Sequence, residues 1–292
     1  YLSTTTSELN NINANHINNV IVPLPSLIEQ TSIVTYLDYK CTRIDEIIQK
    51  QKLVIEKLKS YKQSIITEAV TKGLNSDVPM KDSGVEWIGE IPEHWEVVPL
   101  KRVCSYQEGP GIMANDFRDY GIPLIRISGM KGNIVSLDGC DFLDPMMVEE
   151  KWRHFRLDKG DILISSSAST GIVAIVDEDT VGSVPYTGLI RFKPSSKLLG
   201  KYLILFISSD CYLEQINIQK TGSTIQHYGP THLGKVKLLL PPISEQFEIA
   251  AYIDKKCTAI DVVIDKKETL IEKLTEYKKS LIYECVTGKR EV

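Results

Sequence analysis

EQTSIVTYLDYKCTRIDEIIQKQKLVIEKLKSYKQSIITEAVT, residues 29–71, returns as EQFEIAAYIDKKCTAIDVVIDKKETLIEKLTEYKKSLIYECVT, residues 245–287. The offset is 216 residues without a gap, and roughly half the aligned positions are identical, far above chance. The match extends upstream: His16 pairs with His232, Ile17 with Leu233, Val20 with Val236 and Pro25 with Pro241. A period of 216 in a chain of 292 means one full unit and part of another. Residues 1–25 therefore read as the end of a first globular domain. The chain opens on Tyr1 rather than Met, so a start inside a longer protein, an N-terminally truncated fragment, is expected.

Both copies read as long helices. In the first, Ile33, Leu37, Cys41, Ile44, Ile48, Gln51, Ile55 and Leu58 follow alternating steps of four and three. In the second, the same stripe is Ile249, Ile253, Cys257, Ile260, Ile264, Lys267, Ile271 and Leu274. Such spacing puts apolar groups on one face while lysines and glutamates cover the other. At ~1.5 Å per residue, about forty residues make a rod of about 60 Å. Ser26 or Ser244 is the expected N-cap. Two near-identical stripes are most simply buried against each other with twofold pseudosymmetry, so an antiparallel coiled coil is expected. Gln51 and Lys267 interrupt the stripes at equivalent positions and are expected to meet near the crossing.

Between the helices the texture changes. Gly and Pro punctuate short, β-branched apolar runs at 122–127, 162–164, 172–176, 189–192 and 236–240. A further run at 203–207 lies in a stretch, 200–218, that looks more helical. The expected fold class is α+β: a strand-rich domain with long loops, plus the two long helices. The expected division is 1–25, 26–73, 74–243 and 244–292.

Composition narrows the function. Hydrophobic content of 42% and charged content of 25% are ordinary for a soluble protein. No membrane span or signal peptide is expected, and a cytoplasmic location is. The net charge is −4. Residues 74–240 carry 17 basic against 21 acidic side chains, so any DNA reading must rest on a few placed groups. The cysteines form no C-x-x-C pair, and free thiols rather than zinc are expected.

The order of motifs is specific. MKDSGVEWIGEIPEHWEVVPLKRV (80–103) is followed by GIPLIRISGMKGNI (121–134) and LDKGDILISSSASTGIVAIV (157–176). TGSTIQHYGPTHLGKVKLLLPPISEQFEIAAYID (221–254) then leads into the second helix. The series, with its W-I-G-x-I-P-x-H-W opening, G-D-I-L strand and L-P-P-x-x-E-Q, resembles the target recognition domain of type I restriction–modification specificity subunits. The resemblance covers essentially the whole chain. It implies two recognition domains joined by antiparallel spacer helices, each domain reading one half of a split DNA target. It also implies partners: double-stranded DNA and two modification subunits, which would carry S-adenosylmethionine. No cofactor is expected on this chain, and whether restriction subunits join is left open. This sequence holds one complete reader and both spacers, so one half-site is expected, or pairing with a second copy if the half-subunit is natural.

Reading DNA takes donors and acceptors at groove edges together with phosphate anchors. The foremost candidate is the polar stretch Thr221, Ser223, Thr224, Gln226, His227 and Tyr228, where Gly222 permits close backbone approach. Ser165, Ser166, Ser167, Ser169 and Thr170 follow an expected buried strand. No Gly-Lys-Ser/Thr accompanies them, so nucleotide binding is not expected. Arg126 and Lys131 flank Gly129, and an arginine can grip guanine in bidentate fashion; a surface ion pair is the plain alternative. Tyr186 and Thr187 complete the set. Lys101, Arg102, Arg153 and Arg156 are phosphate-anchor candidates against a default of solvated charge.

No catalytic or metal residues are expected. Asp144-Pro145-Met146-Met147 departs from the adenine-methyltransferase motif at its third and fourth positions. Asp158 and Asp161 flank a turn and read as structural, and no nucleophile elbow is present. The alternative to DNA recognition is a non-catalytic coiled-coil scaffold that binds protein.

Overall fold

The computed structural model describes residues 21–86, 88–166, 172–220 and 229–292, with the side chains of Lys131 and Lys220 set aside. The first repeat copy forms one helix, α1 (Leu27–Lys72). Strands β1 (Met80–Asp82), β2 (Glu90–Pro92), β3 (Glu96–Pro99), β4 (Cys104–Glu108), β5 (Phe117–Arg118), β6 (Ile122–Ile125) and β7 (Met130–Lys131) follow. Next come β8 (Ile134–Val135), β9 (Asp141–Leu143), β10 (Ile162–Ser165), β11 (Val173–Ile175), β12 (Val184–Pro185) and β13 (Leu189–Pro194). The chain ends with α2 (Gly200–Ser208), α3 (Asp210–Lys220), α4 (Pro230–Leu233), β14 (Lys237–Leu240) and α5 (Ile243–Val286), the second repeat copy. Among the described residues no helix is long and apolar enough to cross a membrane.

The chain divides into two compact units, one made of the described part of Tyr1–Lys57 with Val262–Val292, the other of Leu58–Asp261. In the first, α1 and α5 run antiparallel: Asp45 pairs with Lys278 and Gln51 with Lys267, one number rising as the other falls. The seam holds expected stripe positions and extends past Leu274 to Leu281 and Cys285. Ile44, Ile48, Leu281 and Cys285 are buried together, flanked by Ile33, Tyr36, Leu37, Ile271 and Leu274. The start of α1 is a capping box: Ser26 Oγ accepts from Glu29 N at 3.3 Å, and Glu29 Oε2 accepts from Ser26 N at 3.0 Å. The other proposed cap is corrected. Because α5 already begins at Ile243, straight after Pro242, Ser244 lies inside the first turn.

The second unit is the strand-rich domain with the adjoining helix ends. Its largest sheet has the order β4-β13-β10-β11-β8-β7, and a smaller one runs β12-β6-β9-β5. Strand β10 is buried along its whole length between antiparallel β13 and β11, which explains its unbroken apolar run. One core gathers Ile125, Met130, Val135, Leu157, Leu163, Ala174, Val176 and Leu189. Another gathers Ile112, Leu124, Leu143, Val148 and Val184 under Phe117, Trp152, Phe155 and Tyr186. The stretch 200–218 is helical, so the run 203–207 belongs to α2 rather than to a strand. Asp144 accepts from Met146 N at 2.8 Å and Met147 N at 3.3 Å, making Asp144-Pro145 an N-cap followed by proline at the first helical position.

The motif residues turn out to be joinery. His94 Nε2 and Trp95 Nε1, from the opening motif, lie 2.8 and 3.0 Å from Glu245 Oε2 at the start of α5. Gln246, buried, accepts from Leu199 N at 2.8 Å and donates to Lys197 O at 3.0 Å and Pro241 O at 2.9 Å. The end of α1 is tied in likewise: Gln63 Nε2 donates to Ser208 O at 2.7 Å and Asp210 N to Thr67 Oγ1 at 3.0 Å. A side chain at Gly73 would press on Glu245 Oε1 at 3.0 Å and Trp95 at 3.2 Å, so only glycine turns the chain here, at φ 74°.

Candidate nucleic-acid interface

The end of β4 is where the described borders of two polar segments come together. Glu108, the last residue of that strand, accepts from Gly188 N at 3.4 Å, and Gly188 O accepts from Ser166 N at 2.9 Å. A methyl group built on Gly229 would lie 3.6 Å from the other oxygen of Glu108. Ser166 therefore borders 167–171, Gly229 borders 221–228, and the Tyr186–Gly188 turn lies between them. Gly109 makes the junction possible: a Cβ there would stand 2.3 Å from both Pro185 O and Tyr186 O.

Arg126 sits beside this junction. Tyr186 N donates to Ile125 O at 2.9 Å, which brings the Tyr186 ring under the guanidinium. The guanidinium lies 5.0 Å from the Phe117 ring centre and 5.4 Å from that of Tyr186. Its Nε faces Asp141 Oδ2 at 2.5 Å as a charge pair rather than an aligned hydrogen bond. Asp141 and the two rings thus fix Arg126, while 39% of its side-chain surface stays accessible. A pre-set guanidinium loses little further freedom on binding.

The candidates divide clearly. Thr187 is exposed on the turn. Tyr186 is half-buried, and its hydroxyl donates to Ile112 O at 3.2 Å, so it serves the clamp on Arg126. For Ser166 the expectation of an exposed contact is corrected: the residue is buried and holds the turn through its backbone. Lys131 ends β7. Ser167, Ser169, Thr170, Thr221, Ser223, Thr224, Gln226, His227 and Tyr228 lie outside the described residues. Sequence reasoning missed Glu108, Phe117 and Asp141. The signal for Glu108 was present, since Glu-Gly-Pro-Gly after a strand marks a turn with a charged acceptor at its mouth.

The phosphate-anchor candidates lie elsewhere in the unit. Arg156 Nη1 meets Glu149 at 2.7 Å and its Nε donates to Gly182 O at 3.0 Å, while Arg153 pairs more loosely with Glu149 at 3.6 Å. Lys101 and Arg102 are exposed. Asp161 is buried, accepts from Asp158 N at 2.9 Å and lies 3.9 Å from Arg191 and Lys193. Burial pushes its carboxyl up, whereas a hydrogen bond from Lys193 pulls Asp158 down. The pair braces the β10–β13 pairing, in keeping with its structural reading. Among the described residues no group of three or more His, Cys, Asp or Glu is placed to hold a metal.

Residues 92–274 match the family model for the type I restriction modification DNA specificity domain. The chain belongs to that family. It is 28% identical over 239 residues to the type I restriction enzyme MjaVIII specificity subunit of Methanocaldococcus jannaschii, covering 80% of this chain and 54% of that one. With the EcoKI specificity subunit of Escherichia coli it shares 23% over 265 residues, covering 88% and 55%. The chain thus spans about half the length of the curated relatives it matches. Among solved structures, a component of a type I R-M system aligns at a TM-score of 0.73 with 19% identity, covering 96% of this chain and 64% of that one. The HsdS subunit from Thermoanaerobacter tengcongensis aligns at 0.55 with 18% identity, covering 99% and 66%. These likenesses show a shared fold.

Proposed function

We propose that this chain reads DNA for a type I restriction–modification complex and performs no chemistry of its own. Residues 74–243 act as the recognition domain for one half of a bipartite duplex target, and 1–25 are the end of a first such domain. The helical segments 26–73 and 244–292 are spacers that dock modification subunits, which bind the S-adenosylmethionine. The observation that supports this most is the junction at Glu108, where the borders of both polar segments meet the turn whose Tyr186 ring lies under the clamped Arg126. A carboxylate there suits an exocyclic amine and a guanidinium suits guanine, so discrimination rests on placed groups rather than on net charge.

Gel-shift titration with purified modification subunit and the host's methylated motif tests the proposal. Arg126→Ala and Gln226→Ala are each expected to cost ~1–3 kcal/mol on the cognate duplex and little on random sequence. Equal losses on both duplexes, or no preference in the unaltered protein, would refute base reading by these residues.

A further inference from the structure

The two helix copies repeat their surfaces as well as their seam, and at one place they differ in what fills the surface. After α5 the chain turns back at Gly288, φ 71°, and the backbone N–H groups of Lys289 and Arg290 donate to Glu284 O at 2.8 and 3.2 Å. The Arg290 guanidinium then lies 3.4 Å from Glu284 Oε2. Its charge is also felt by the Tyr36 and Tyr277 phenols, which hold its guanidinium above its usual range. The protein here holds its own arginine between one carboxylate and two phenols.

Shifted by the repeat offset of 216, Tyr277 falls on Tyr61, Glu284 on Glu68 and Tyr36 on Tyr252. These three line a cavity of about 710 Å³ within Leu58–Asp261. The correspondence reaches fine detail. Lys40 Nζ lies 5.6 Å from the Tyr36 ring centre, and its counterpart Lys256 lies 5.6 Å from that of Tyr252. The arginine is not repeated: its position is Leu74, which forms part of the cavity wall.

We propose that this cavity receives an arginine side chain from a protein partner, held by Glu68, Tyr61 and Tyr252 as Glu284, Tyr277 and Tyr36 hold Arg290. Charge favours a cation, since Glu68 and Glu90 line the cavity against Lys72. A phosphate would meet both carboxylates. Arginine is preferred over lysine because its planar fork satisfies a carboxylate and stacks on tyrosine at once. The volume exceeds one side chain, so the arginine would arrive on a segment of polypeptide. This reading does not depend on DNA recognition.

Methyl NMR on the whole chain tests it with N-acetylarginine amide as probe and N-acetylcitrulline amide as its neutral isostere. Saturable shifts at Ile65 and Ile88, which line the cavity, are expected for the arginine probe. Affinity should fall about tenfold for citrulline and in Glu68→Gln, the loss of a charge-assisted bond. Glu68 is exposed, so that variant keeps its core. In Arg290→Ala the emptied counterpart should also bind the probe and shift Leu281. No saturable shift at Ile65 and Ile88, equal binding of citrulline, an unchanged Glu68→Gln, or no new site in Arg290→Ala would each overturn the proposal.

Discussion

Lys267 Nζ donates a hydrogen bond to Gln51 Oε1 at 2.8 Å, and the two residues occupy the same position of the repeat, 216 apart. Two equivalent positions touch only where the axis relating the copies passes between them. The polar pair therefore marks the pseudo-twofold centre of the seam. Every other stripe position carries an apolar side chain or cysteine, so a shifted alignment would strand Lys267 against hydrocarbon.

That geometry makes Gln51 and Lys267 a register lock bought with stability. Replacing both by Leu is expected to raise the urea-unfolding free energy by ~1–2 kcal/mol while admitting other alignments and oligomers. Light scattering on eluted protein would show the extra species. Gln51→Leu alone leaves the ammonium without its acceptor and should lower stability by ~1 kcal/mol.

The repeat equivalence extends to an ion pair within each unit: Asp45 meets Lys278 at 2.6 Å, and its repeat counterpart Asp261 meets Lys62 at 2.7 Å. The hydrogen bond it donates to Asp45 raises the Lys278 ammonium above its ordinary 10.5. A raised lysine contributes stability that is fully present below that value and lost as pH rises through the folded value. The midpoint gap between wild type and Asp45→Asn should therefore hold steady near pH 8, shrink above pH 10.5 and diminish in ~1 M salt. A gap that grows in alkali would contradict the pairing.

Glu245 serves two donors from the opening motif, of which Trp95 is fully buried. Glu245→Ala leaves the indole N–H unsatisfied and should cost ~1–3 kcal/mol in urea, with a red shift of tryptophan emission. Glu245→Gln keeps an acceptor and should cost less. Equal, negligible effects would mean that this joint does not hold the domain to α5.

All six cysteines are free thiols, and burial sets their reactivity. Burial pushes Cys104 up to about 12 and Cys211 up to about 11. At pH 8 the Cys104 thiolate is then about one part in ten thousand, so iodoacetamide should label it only after denaturant is added. Peptide mapping before and after unfolding gives the comparison, and rapid native labelling at Cys104 would contradict its burial.

The long helices, their apolar stripes and their antiparallel pairing were legible in the sequence because they depend on local periodicity and on an internal repeat that fixes which positions are equivalent. Even the meeting of Gln51 and Lys267 followed from that equivalence. The site was legible only as a set of polar segments. Glu108 lies where the described borders of two of them, Ser166 and Gly229, approach, because β4 pairs with β13, which carries the chain out of the Tyr186–Gly188 turn. Arg126 is clamped by Phe117, Asp141 and Tyr186 because two separate strands and the turn after β12 deliver those residues to one place. The opening motif and the start of α5 likewise read as signatures far apart, and only folding shows them to be two halves of one joint at Glu245. Periodicity is a property of neighbours along the chain, so sequence determined the helices. Which distant side chains share a charge, a ring face or a buried proton depends on strand order and packing, and that the tertiary structure alone decided.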